Sequence, residues 1–366
     1  MGARRPIKTV NSICPIRIND LGGWTDTWFA EYGEVLNIGV YPYVQCQMHV
    51  LPLDPDSENR VTIHAVDYGD RYGINPDKLI YDKHPLLEAA IDLMGVPRDL
   101  AVEVSISSPV PGGCSTGTSA AVSVALIGAL DRATYGRLTP AEVAMKAHAI
   151  ETQKLRQQCG IQDQLSAAYG GILHIRMFKY PHAQVSYLDV SNELRWELES
   201  RLALIFLGET HKSSEVHQWV IRQLEGSGPE HPTLCKLRGL AQAGKNAIYE
   251  GDLNELGRLM IENTEAQAEL HPDLVSPVAR QTIEIARRHG AIGWKINGAG
   301  GNGGSITLLL PSDWARRKDL IRAIEEIGGG VREIPIYLSR IGLRVWETRP
   351  GATRQTAGRP PGDATA

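Results

Sequence analysis

The chain has 366 residues, of which 42% are hydrophobic and 22% are charged, and its formal net charge is −4. This length exceeds that of an average domain and predicts one large domain or two closely packed ones. A net negative chain is a poor candidate for non-specific nucleic-acid binding, which needs clustered Lys and Arg. No apolar run approaches the roughly 18 residues of a membrane-spanning helix. We therefore expect an ordinary soluble protein with neither nucleic acid nor membrane as its partner.

The five cysteines are scattered along the chain. They form no CxxC pair and no spacing typical of metal sites, which favours a reducing compartment. The first residues, MGARRPIKTVNS, contain no apolar signal-peptide core, so we expect a cytoplasmic protein. The segment 350–366 is rich in Pro, Gly, Ala and Thr and is predicted to be a disordered tail.

The first hundred residues are predicted to be rich in strands. In YVQCQMHV (43–50) every second residue is apolar, which is typical of a half-buried strand, and the segments 60–66 and 101–107 repeat this style. Between them, 84–95 has Leu, Ile and Met at helical spacing, with Pro85 in a first-turn position. This segment therefore predicts a helix between strands.

The middle of the chain is predicted to be mainly helical. The run SAAVSVALIGAL (119–130) is too long for a strand, and its small residues indicate a helix packed tightly on both sides. The segment 138–160 predicts a second helix, in which Thr139 is the N-cap and Glu142 completes a capping box. A strand is predicted again at 170–178.

A change of composition near 180–200, where the chain is polar and irregular, predicts a domain boundary. We expect an N-terminal domain over 1–190 and a C-terminal domain over 191–349. The second half is predicted to alternate strands and helices, so the fold class is α+β with mixed sheets and helices on their faces. The predicted elements of this half are strands at 202–208, 304–310 and near 331–347, a helix at 277–289, and a helix that follows Ser312.

The first candidate motif is CPIRINDLGGWTD (14–26), which follows a short apolar strand and ends in a Gly-Gly turn. Arg17 lies among apolar residues, where an arginine usually reaches the surface with its charged end. Thr25 and Asp26 after two glycines are compatible with an ordinary turn. Taken alone, the motif leaves both a structural and a functional interpretation open.

The second motif is SPVPGGCSTGTSAAVSVAL (108–126), which runs from glycines into an apolar segment. Gly112, Gly113 and Gly117 can adopt backbone angles closed to other residues, so successive N–H groups can point into one concavity. The first N–H groups of the following helix would add to this anion site. The stretch contains no lysine and is not a Walker A loop. Taken alone, it fits a phosphate-binding loop and a turn before a buried helix equally well.

The third motif is KINGAGGNGGSITLL (295–309), in which five glycines within seven residues precede an apolar strand. It is compatible with a flexible hairpin that leads into a core strand. It is equally compatible with a backbone that closes on a bound ligand.

The three motifs, in this order, resemble those of one family, the GHMP kinases, which includes galactokinase, homoserine kinase, mevalonate kinase and phosphomevalonate kinase. The resemblance spans residues 10–345. It implies the two-domain GHMP kinase fold, with an N-terminal ribosomal-protein-S5-like domain and a C-terminal ferredoxin-like α/β sandwich. It also implies a small-molecule kinase that uses ATP and Mg²⁺.

The resemblance assigns the second motif to the phosphates of ATP. Ser115 stands where the family commonly has glycine, so the backbone there should be less permissive. Ser119 and Glu151 are the implied Mg²⁺ ligands; a buried carboxylate such as Glu151 needs a cation partner, and Mg²⁺ would serve. The residues assigned to ATP are Pro111, Gly112, Gly113, Cys114, Ser115, Thr116, Gly117, Thr118, Ser119 and Ala120.

The segment CGIQDQLSAAYGGI resembles the sugar-kinase form of the family and implies that Asp163 is the base that accepts the proton of the substrate hydroxyl. Arg17 is implied to lie near Asp163, to hold it ionised and to counter charge in phosphoryl transfer. Asp26 resembles the substrate-binding aspartate of the sugar branch. The residues assigned to the substrate are Gly23, Trp24, Thr25, Asp26, Gln162, Lys212 and Gly300.

The GGWTD form resembles kinases for fucose, arabinose, galacturonate and heptose phosphate. The resemblance therefore implies transfer to a monosaccharide hydroxyl, with the anomeric hydroxyl of a fucose-, arabinose- or uronic-acid-like sugar as the first choice. A heptose 7-phosphate is the second choice, for which Lys212 would bind the existing phosphate. A catalytically inactive sugar sensor is a third possibility, whereas the motif forms disfavour a mevalonate-type kinase. We expect a monomer or a homodimer.

Overall fold

The computed structural model describes residues 5–54, 57–134, 136–210 and 215–348. Its strands form two sheets, and helices cover their faces, so the predicted α+β class is confirmed. The strands are β1 (Lys8–Leu21), β2 (Gly33–Pro52), β3 (Val61–Ala65), β4 (Asp70–Ile74), β5 (Leu100–Ser107), β6 (Ile172–Lys179), β7 (His182–Tyr187), β8 (Leu202–Leu207), β9 (Gly293–Ile296), β10 (Ser305–Leu309), β11 (Val331–Ile334), β12 (Tyr337–Leu338) and β13 (Arg344–Thr348).

The helices lie mostly between these strands in the sequence, and the long helices α7 and α8 follow one another directly. Short 3₁₀ turns cover Trp28–Ala30, Val66–Tyr68 and Pro272–Leu274, and a π turn covers Ile150–Lys154. The helices are α1 (Pro85–Met94), α2 (Thr118–Ala133), α3 (Pro140–Ala149), α4 (Gln162–Tyr169), α5 (Asn192–Arg201), α6 (Glu215–Ser227), α7 (Pro232–Glu250), α8 (Leu253–Leu270), α9 (Pro277–Arg288) and α10 (Trp314–Glu325).

The first sheet is built around the long strand β2, which pairs with β1, β5, β6 and β12. Its main path runs β13-β1-β2-β5-β3-β4, and the pairs are antiparallel except β3 with β5. The predicted alternation along 43–50 is confirmed, because Val44, Cys46 and Met48 are buried while Gln45 and Gln47 are exposed. Side chains of a strand alternate between its faces, so one face of β2 packs on the core and the other meets solvent.

Helix α2 crosses the first sheet and fits closely because its residues are small. A Cβ atom at Gly128 would lie 2.7 Å from a methyl carbon of Leu343. Ten of its residues, from Ala120 to Leu130, are buried. The sequence-based prediction of a tightly packed helix is confirmed, and this packing holds the N-terminus of α2 against β1.

The second sheet has the antiparallel order β11-β8-β10-β9. All residues of β8 are buried because both faces of the sheet are covered. Ala203, Ile205 and Leu207 pack with helices α9 and α10, whereas Leu204 and Phe206 belong to the larger core under the first sheet. The two sheets therefore share apolar contacts rather than forming separate cores.

The C-terminal strands return to the first sheet. The strands predicted near 331–347 divide between the sheets, since β11 joins the second sheet while β12 pairs with β2 and β13 pairs with β1. A cut near residue 190 would separate β13 from the sheet that it completes. The boundary between 1–190 and 191–349 stays a prediction, and the predicted tail at 350–366 lies outside the described residues.

Two local predictions are corrected by the structure. The polar segment 180–200 is not irregular: it holds β7 and α5, whose exposed faces hide the hydrophobic pattern used to predict regular structure. The helix predicted over 138–160 begins at the Thr139–Glu142 capping box, as expected, but ends in the π turn at Lys154. Residues after this turn form a loop. Within the described residues, no helix combines the length and apolar character needed to cross a bilayer.

Candidate active site

A cavity of about 740 Å³ opens between the two sheets. Its walls come from the end of β1, the π turn and the loop after it, the start of α4, the start of α6 and the glycine-rich loop after β9. The three motifs found in the sequence thus meet in space. Arg17, Trp24, Asp26, Ser119, Glu151, Gln162 and Asp163 are the predicted site residues that line the cavity.

Arg17 connects the first motif to the second. The residue is 3% exposed, its Nε donates to Asp163 Oδ1 at 2.8 Å, and its Nη1 donates to the carbonyl oxygen of Ser115. Burial by itself would lower the pKa of the guanidinium, but the charges of Asp163 and Asp20 raise it above its ordinary value. Arg17 is therefore permanently charged, and Asp163, Ser115 and Asp20 fix the orientation of its guanidinium.

Asp163 lies in the first turn of α4, and its side chain is 28% exposed toward the cavity. A Cβ atom at Gly117 would lie 3.1 Å from the Asp163 Cγ, so the loop of the second motif passes directly beside this carboxylate. The geometry brings a paired, accessible carboxylate next to the candidate phosphate loop.

The loop that precedes α2 has the backbone of an anion-binding turn. Gly113, Ser115 and Gly117 have φ angles of 73°, 58° and 71°. Ser115 therefore adopts the left-handed conformation usually left to glycine, at the position where the sequence departs from the family form. Gly117 is the N-cap of α2, and among the described residues no side chain caps this helix. The N–H groups of its first turn remain available to an anion.

Two residues of this loop have structural roles. Cys114 is buried, and its carbonyl oxygen accepts from Ser305 Oγ at 2.6 Å. Thr116 is buried, and its carbonyl accepts from the backbone N–H of Arg17 at 2.9 Å. These bonds fix the loop between β1 and β10.

Glu151 is a buried carboxylate without a cationic partner in the described part of the chain. It lies in the π turn, is 8% exposed, and accepts from Gln164 Nε2 at 2.7 Å. Burial raises its pKa to about 7. Ser119, at the start of α2, lines the same cavity. A hydroxyl and a carboxylate are oxygen donors of the kind that Mg²⁺ prefers, and such sites are commonly completed by substrate phosphates and water. The residues present therefore fit a magnesium ion.

Asp26 is held by the chain at the start of α4. Its Oδ2 accepts from the backbone N–H of Gln162 at 2.9 Å, and the carboxylate is 3% exposed. A Cβ atom at Gly160 would lie 2.1 Å from Asp26 Oδ2, so the loop before α4 passes this carboxylate as closely as glycine permits. Burial raises the pKa of Asp26 to about 6.

Trp24 lies partly in a small core and partly in the cavity wall. Its ring stacks on His217 with centroids 6.2 Å apart and packs near Phe29. Its Nε1 is buried and has no hydrogen-bond partner among the residues that the structure describes. A buried donor of this kind is uncommon, which makes the Trp24 N–H a candidate for a hydrogen bond to a ligand.

Three residues assigned to the substrate do not line the cavity, and a fourth cannot be placed. The Thr25 hydroxyl donates to the carbonyl oxygen of Gly22 at 2.7 Å, which stabilises the turn. Gly23 lies against Asp20, and the carbonyl oxygen of Gly300 accepts from His217 Nε2 at 3.1 Å. Lys212 lies outside the described residues.

A buried ion pair next to Arg17 was not predicted from the sequence. Asp20 and Lys295 are 0% and 1% exposed, with 3.4 Å between Asp20 Oδ1 and Lys295 Nζ. Both carboxylate oxygens of Asp20 also accept from the Gly298 N–H at 3.1 Å. Burial lowers the pKa of Lys295, and Asp20 partly opposes this shift. A charged residue within each of two apolar strands was the signal that could have predicted this pair.

The loop after the π turn was missed as well. Arg156, Gln157, Gln158 and Cys159 line the cavity, because the helix that was predicted to contain them ends at Lys154. The start of α6 contributes further lining residues, namely His217, Gln218 and Ile221. The local sequence predicted a polar loop that leads into a helix, but it did not show that this helix faces the cavity.

Two family models match the chain. The model for the GHMP kinases N terminal domain matches residues 85–171, and the model for the GHMP kinases C terminal domain matches residues 245–328. A mevalonate kinase of Pyrococcus horikoshii is 31% identical over 257 residues, which cover 68% of this chain and 70% of that protein. The chain belongs to the GHMP kinase family. This kinase is therefore a phosphotransferase, and the family's phosphoryl donor is ATP.

Other relatives of this kinase act on sugars according to their names. A bifunctional fucokinase/GDP-fucose pyrophosphorylase of Arabidopsis thaliana is 28% identical over 333 residues, which cover 85% of this chain and 31% of that protein. The chain thus spans about a third of that bifunctional relative. A D-glycero-alpha-D-manno-heptose 7-phosphate kinase of Campylobacter jejuni is 23% identical, with 93% of this chain and 99% of that protein covered.

The solved structures confirm the fold of this kinase. A D-glycero-D-manno-heptose 1-phosphate kinase from Bacteroides thetaiotaomicron has a TM-score of 0.70 and 22% sequence identity, with 92% of this chain and 98% of that chain covered. The predicted two-domain GHMP kinase fold is therefore confirmed.

Proposed function

We propose that this kinase transfers the γ-phosphate of ATP, with Mg²⁺, to a hydroxyl of a monosaccharide. The observation that carries the proposal is that the Arg17–Asp163 pair and the Asp26 carboxylate line one cavity, at the N-terminus of α2. The anomeric hydroxyl of a fucose-, arabinose- or uronic-acid-like sugar is the first choice for the acceptor. A heptose phosphate is the second. We also propose that residues 1–190 form the ATP-binding domain.

In this proposal Asp163 accepts the proton of the attacking hydroxyl. It is paired with Arg17, partly exposed to the cavity and beside the phosphate loop, and this geometry suits a general base. Arg17 orients this carboxylate and places a positive charge near the transferred group. The N–H groups of the loop and of the first turn of α2 bind the phosphates. Mg²⁺, bound by Ser119 and Glu151, would neutralise charge on the phosphates.

The acceptor site supports a polyhydroxylated substrate. Asp26 offers acceptor-only oxygens, which can bind two adjacent sugar hydroxyls. Trp24 adds a buried indole N–H with no other partner among the described residues, and its ring forms part of the wall. The fucokinase and heptose 7-phosphate kinase relatives support a sugar as the acceptor.

A mevalonate-type acceptor is the second candidate function. Its support is the set of archaeal mevalonate kinases, of which the Pyrococcus horikoshii protein is 31% identical. Against it stand the GGWTD and GIQDQ forms, which meet where the backbone N–H of Gln162 donates to the Asp26 carboxylate. A catalytically inactive sugar sensor would not need the charged pair of Arg17 and Asp163.

The test is acceptor-dependent release of ADP with a panel of neutral sugars, uronic acids, sugar phosphates, mevalonate and homoserine. We expect turnover with at least one sugar or sugar phosphate. The Asp163→Asn variant keeps the size of the side chain and should lose about 10²–10⁴-fold in kcat while its Kd for ATP stays near that of the wild type. Half-buried Asp131, near the C-terminal end of α2 and outside the cavity, provides the control as Asp131→Asn.

Three results contradict the proposal. Full activity of Asp163→Asn removes Asp163 from the role of base. Turnover of mevalonate alone favours the second candidate. Sugar binding without ADP release from any acceptor favours the inactive sensor.

A further inference from the structure

Arg156 is a cation in the wall of the cavity that no described residue neutralises. The other arginine of the wall, Arg17, is engaged by Asp163 and Asp20. Arg156 is exposed, lines the cavity, and forms no hydrogen bond or ion pair within the described residues. A free guanidinium in a ligand cavity is a candidate for ligand binding.

The loop that carries Arg156 runs from the π turn that contains Glu151 to Asp26 on the acceptor side of the cavity. At its start, the N–H groups of Leu155 and Gln157 donate to the carbonyl oxygens of Ile150 and Glu151 at 3.0 and 2.8 Å. At its end, the N–H of Ile161 donates to the carbonyl oxygen of Asp26 at 3.2 Å. Arg156 therefore lies on a short segment that spans from the π turn to the proposed sugar-binding carboxylate, and not on the loop that would bind the phosphates of ATP.

The carboxylates of the cavity wall already have assigned roles. Asp163 and Asp20 pair with Arg17, Glu151 is assigned to Mg²⁺, and Asp26 accepts from the backbone N–H of Gln162. A neutral sugar would leave the charge of Arg156 without a counter-charge in the cavity, whereas an anionic group on the sugar would supply one.

We propose that the acceptor of this kinase is an anionic sugar, and that Arg156 binds its phosphate or carboxylate group at the end remote from the hydroxyl that is phosphorylated. The guanidinium presents a planar set of donors that matches both kinds of oxyanion in a two-bond geometry. This inference rests on the proposed function and narrows its substrate to sugar phosphates and uronic acids. Arg156 thereby acts as a specificity residue, since it contacts the substrate away from the reacting atoms.

The experiment compares acceptors that differ at one carbon only. One series is galactose, galacturonate and galactose 6-phosphate, and the other is mannose, mannuronate and mannose 6-phosphate. In each series the ring is constant while the sixth carbon carries a hydroxyl, a carboxylate or a phosphate. We expect the wild type to favour an anionic member over its neutral parent by at least about tenfold in kcat/KM, the scale of one charge-assisted contact.

The variants assign this preference to the side chain. Arg156→Gln should raise the KM for the favoured anionic sugar by about 10–100-fold while kcat and the KM for ATP change by less than about threefold. Arg156→Lys should recover part of the loss, because the charge remains while the two-bond geometry is lost. The matched control is Arg98→Gln, which removes an exposed loop arginine that does not line the cavity and should leave all constants unchanged.

Each other outcome overturns the inference in a distinguishable way. If the wild type favours the neutral members, the inference fails while the proposed function stands. If Arg156→Gln changes the KM for ATP instead of that for the sugar, Arg156 belongs to the nucleotide. If no sugar of any charge is phosphorylated while ATP still binds, the proposed function fails and the inference fails with it.

Discussion

The two halves of the cavity are built in different ways. The half assigned to ATP depends on backbone groups at the edge of the cavity, namely the left-handed loop at 113–117 and the first turn of α2, held by the buried charges of Arg17 and Asp20. The half assigned to the acceptor consists of side chains on loops, such as Trp24, Asp26 and Arg156. A backbone site suits a ligand shared by a whole family, whereas side chains on loops can change without disturbing the fold. We therefore expect substitutions on the ATP side (the donor side) to lower activity with every acceptor alike. Substitutions on the acceptor side should change the preference among acceptors.

The largest donor-side effect is expected at Glu151. Glu151→Gln keeps the shape of the side chain but removes its charge, so we expect a loss of at least about 100-fold in kcat and a raised requirement for Mg²⁺ with every acceptor. Activity assays across a magnesium titration measure this change. A variant with normal magnesium dependence would remove Glu151 from the proposed metal site.

Glu151→Gln should also change the stability of the folded protein, in the direction opposite to its effect on activity. The pKa of Glu151 is raised from 4.5 to about 7, so the folded protein binds a proton more tightly than the unfolded chain, and stability from this group is lost as the pH rises from about 4.5 to about 7. At pH 8 the buried charge costs about 3 kcal/mol, by the conversion of 1.36 kcal/mol per pKa unit. Metal-free Glu151→Gln should therefore melt a few degrees higher than the wild type at pH 8, and the difference should vanish at about pH 4. A lower melting temperature at pH 8 would show that the carboxylate is not an unfavourable buried charge.

A smaller donor-side effect is expected at Gly117. Gly117→Ala adds a Cβ at φ 71° that would lie 3.1 Å from the Asp163 Cγ, so it should strain the loop and displace the carboxylate. We expect about a tenfold loss in kcat/KM with all acceptors. The control is Gly95→Ala, because Gly95 has φ 70° but open space around it. Equal losses in both variants would attribute the effect to backbone strain alone.

On the acceptor side, pH should change sugar binding through Asp26. Its pKa is raised to about 6, so the carboxylate proposed to bind hydroxyl groups is ionised above pH 6 and protonated below it. The KM for the acceptor should rise about tenfold on lowering the pH from 7 to 5, as the ionised fraction falls. In Asp26→Asn the KM should be high and nearly independent of pH. A wild-type KM that stays constant over this range would exclude Asp26 from acceptor binding.

The smallest effect is expected at Trp24. Trp24→Phe keeps an aromatic ring but removes the unpartnered indole N–H, so the KM for the acceptor should rise by about 2–10-fold, the scale of one neutral hydrogen bond, with no change for ATP. Trp28→Phe is the control, because the Trp28 N–H already donates to Glu225 at 2.7 Å. If both variants behave alike, Trp24 acts only through packing.

Much of the fold was predictable because it rests on local patterns. The alternation along 43–50, the Pro85 start of α1 and the Thr139–Glu142 capping box each act within a few residues, and each is present. The errors occur where tertiary contacts decide. Strand β7 is regular because it pairs with β6, and the segment after Lys154 is a loop because the chain must reach Asp26.

The sequence by itself determined the family of this protein, since three motifs in a fixed order carry that information without any distance between them. It also determined the types of residue available for chemistry at Arg17, Ser119, Glu151 and Asp163. Only the tertiary structure decided how these residues meet. The Arg17–Asp163 contact joins positions 146 residues apart, and the Asp20–Lys295 pair joins positions 275 residues apart. Burial and pairing depend on neighbours that are distant in the chain. The pKa values of Glu151 and Asp26, and the charge of Arg156 that no described residue pairs, therefore emerge only when the chain has folded.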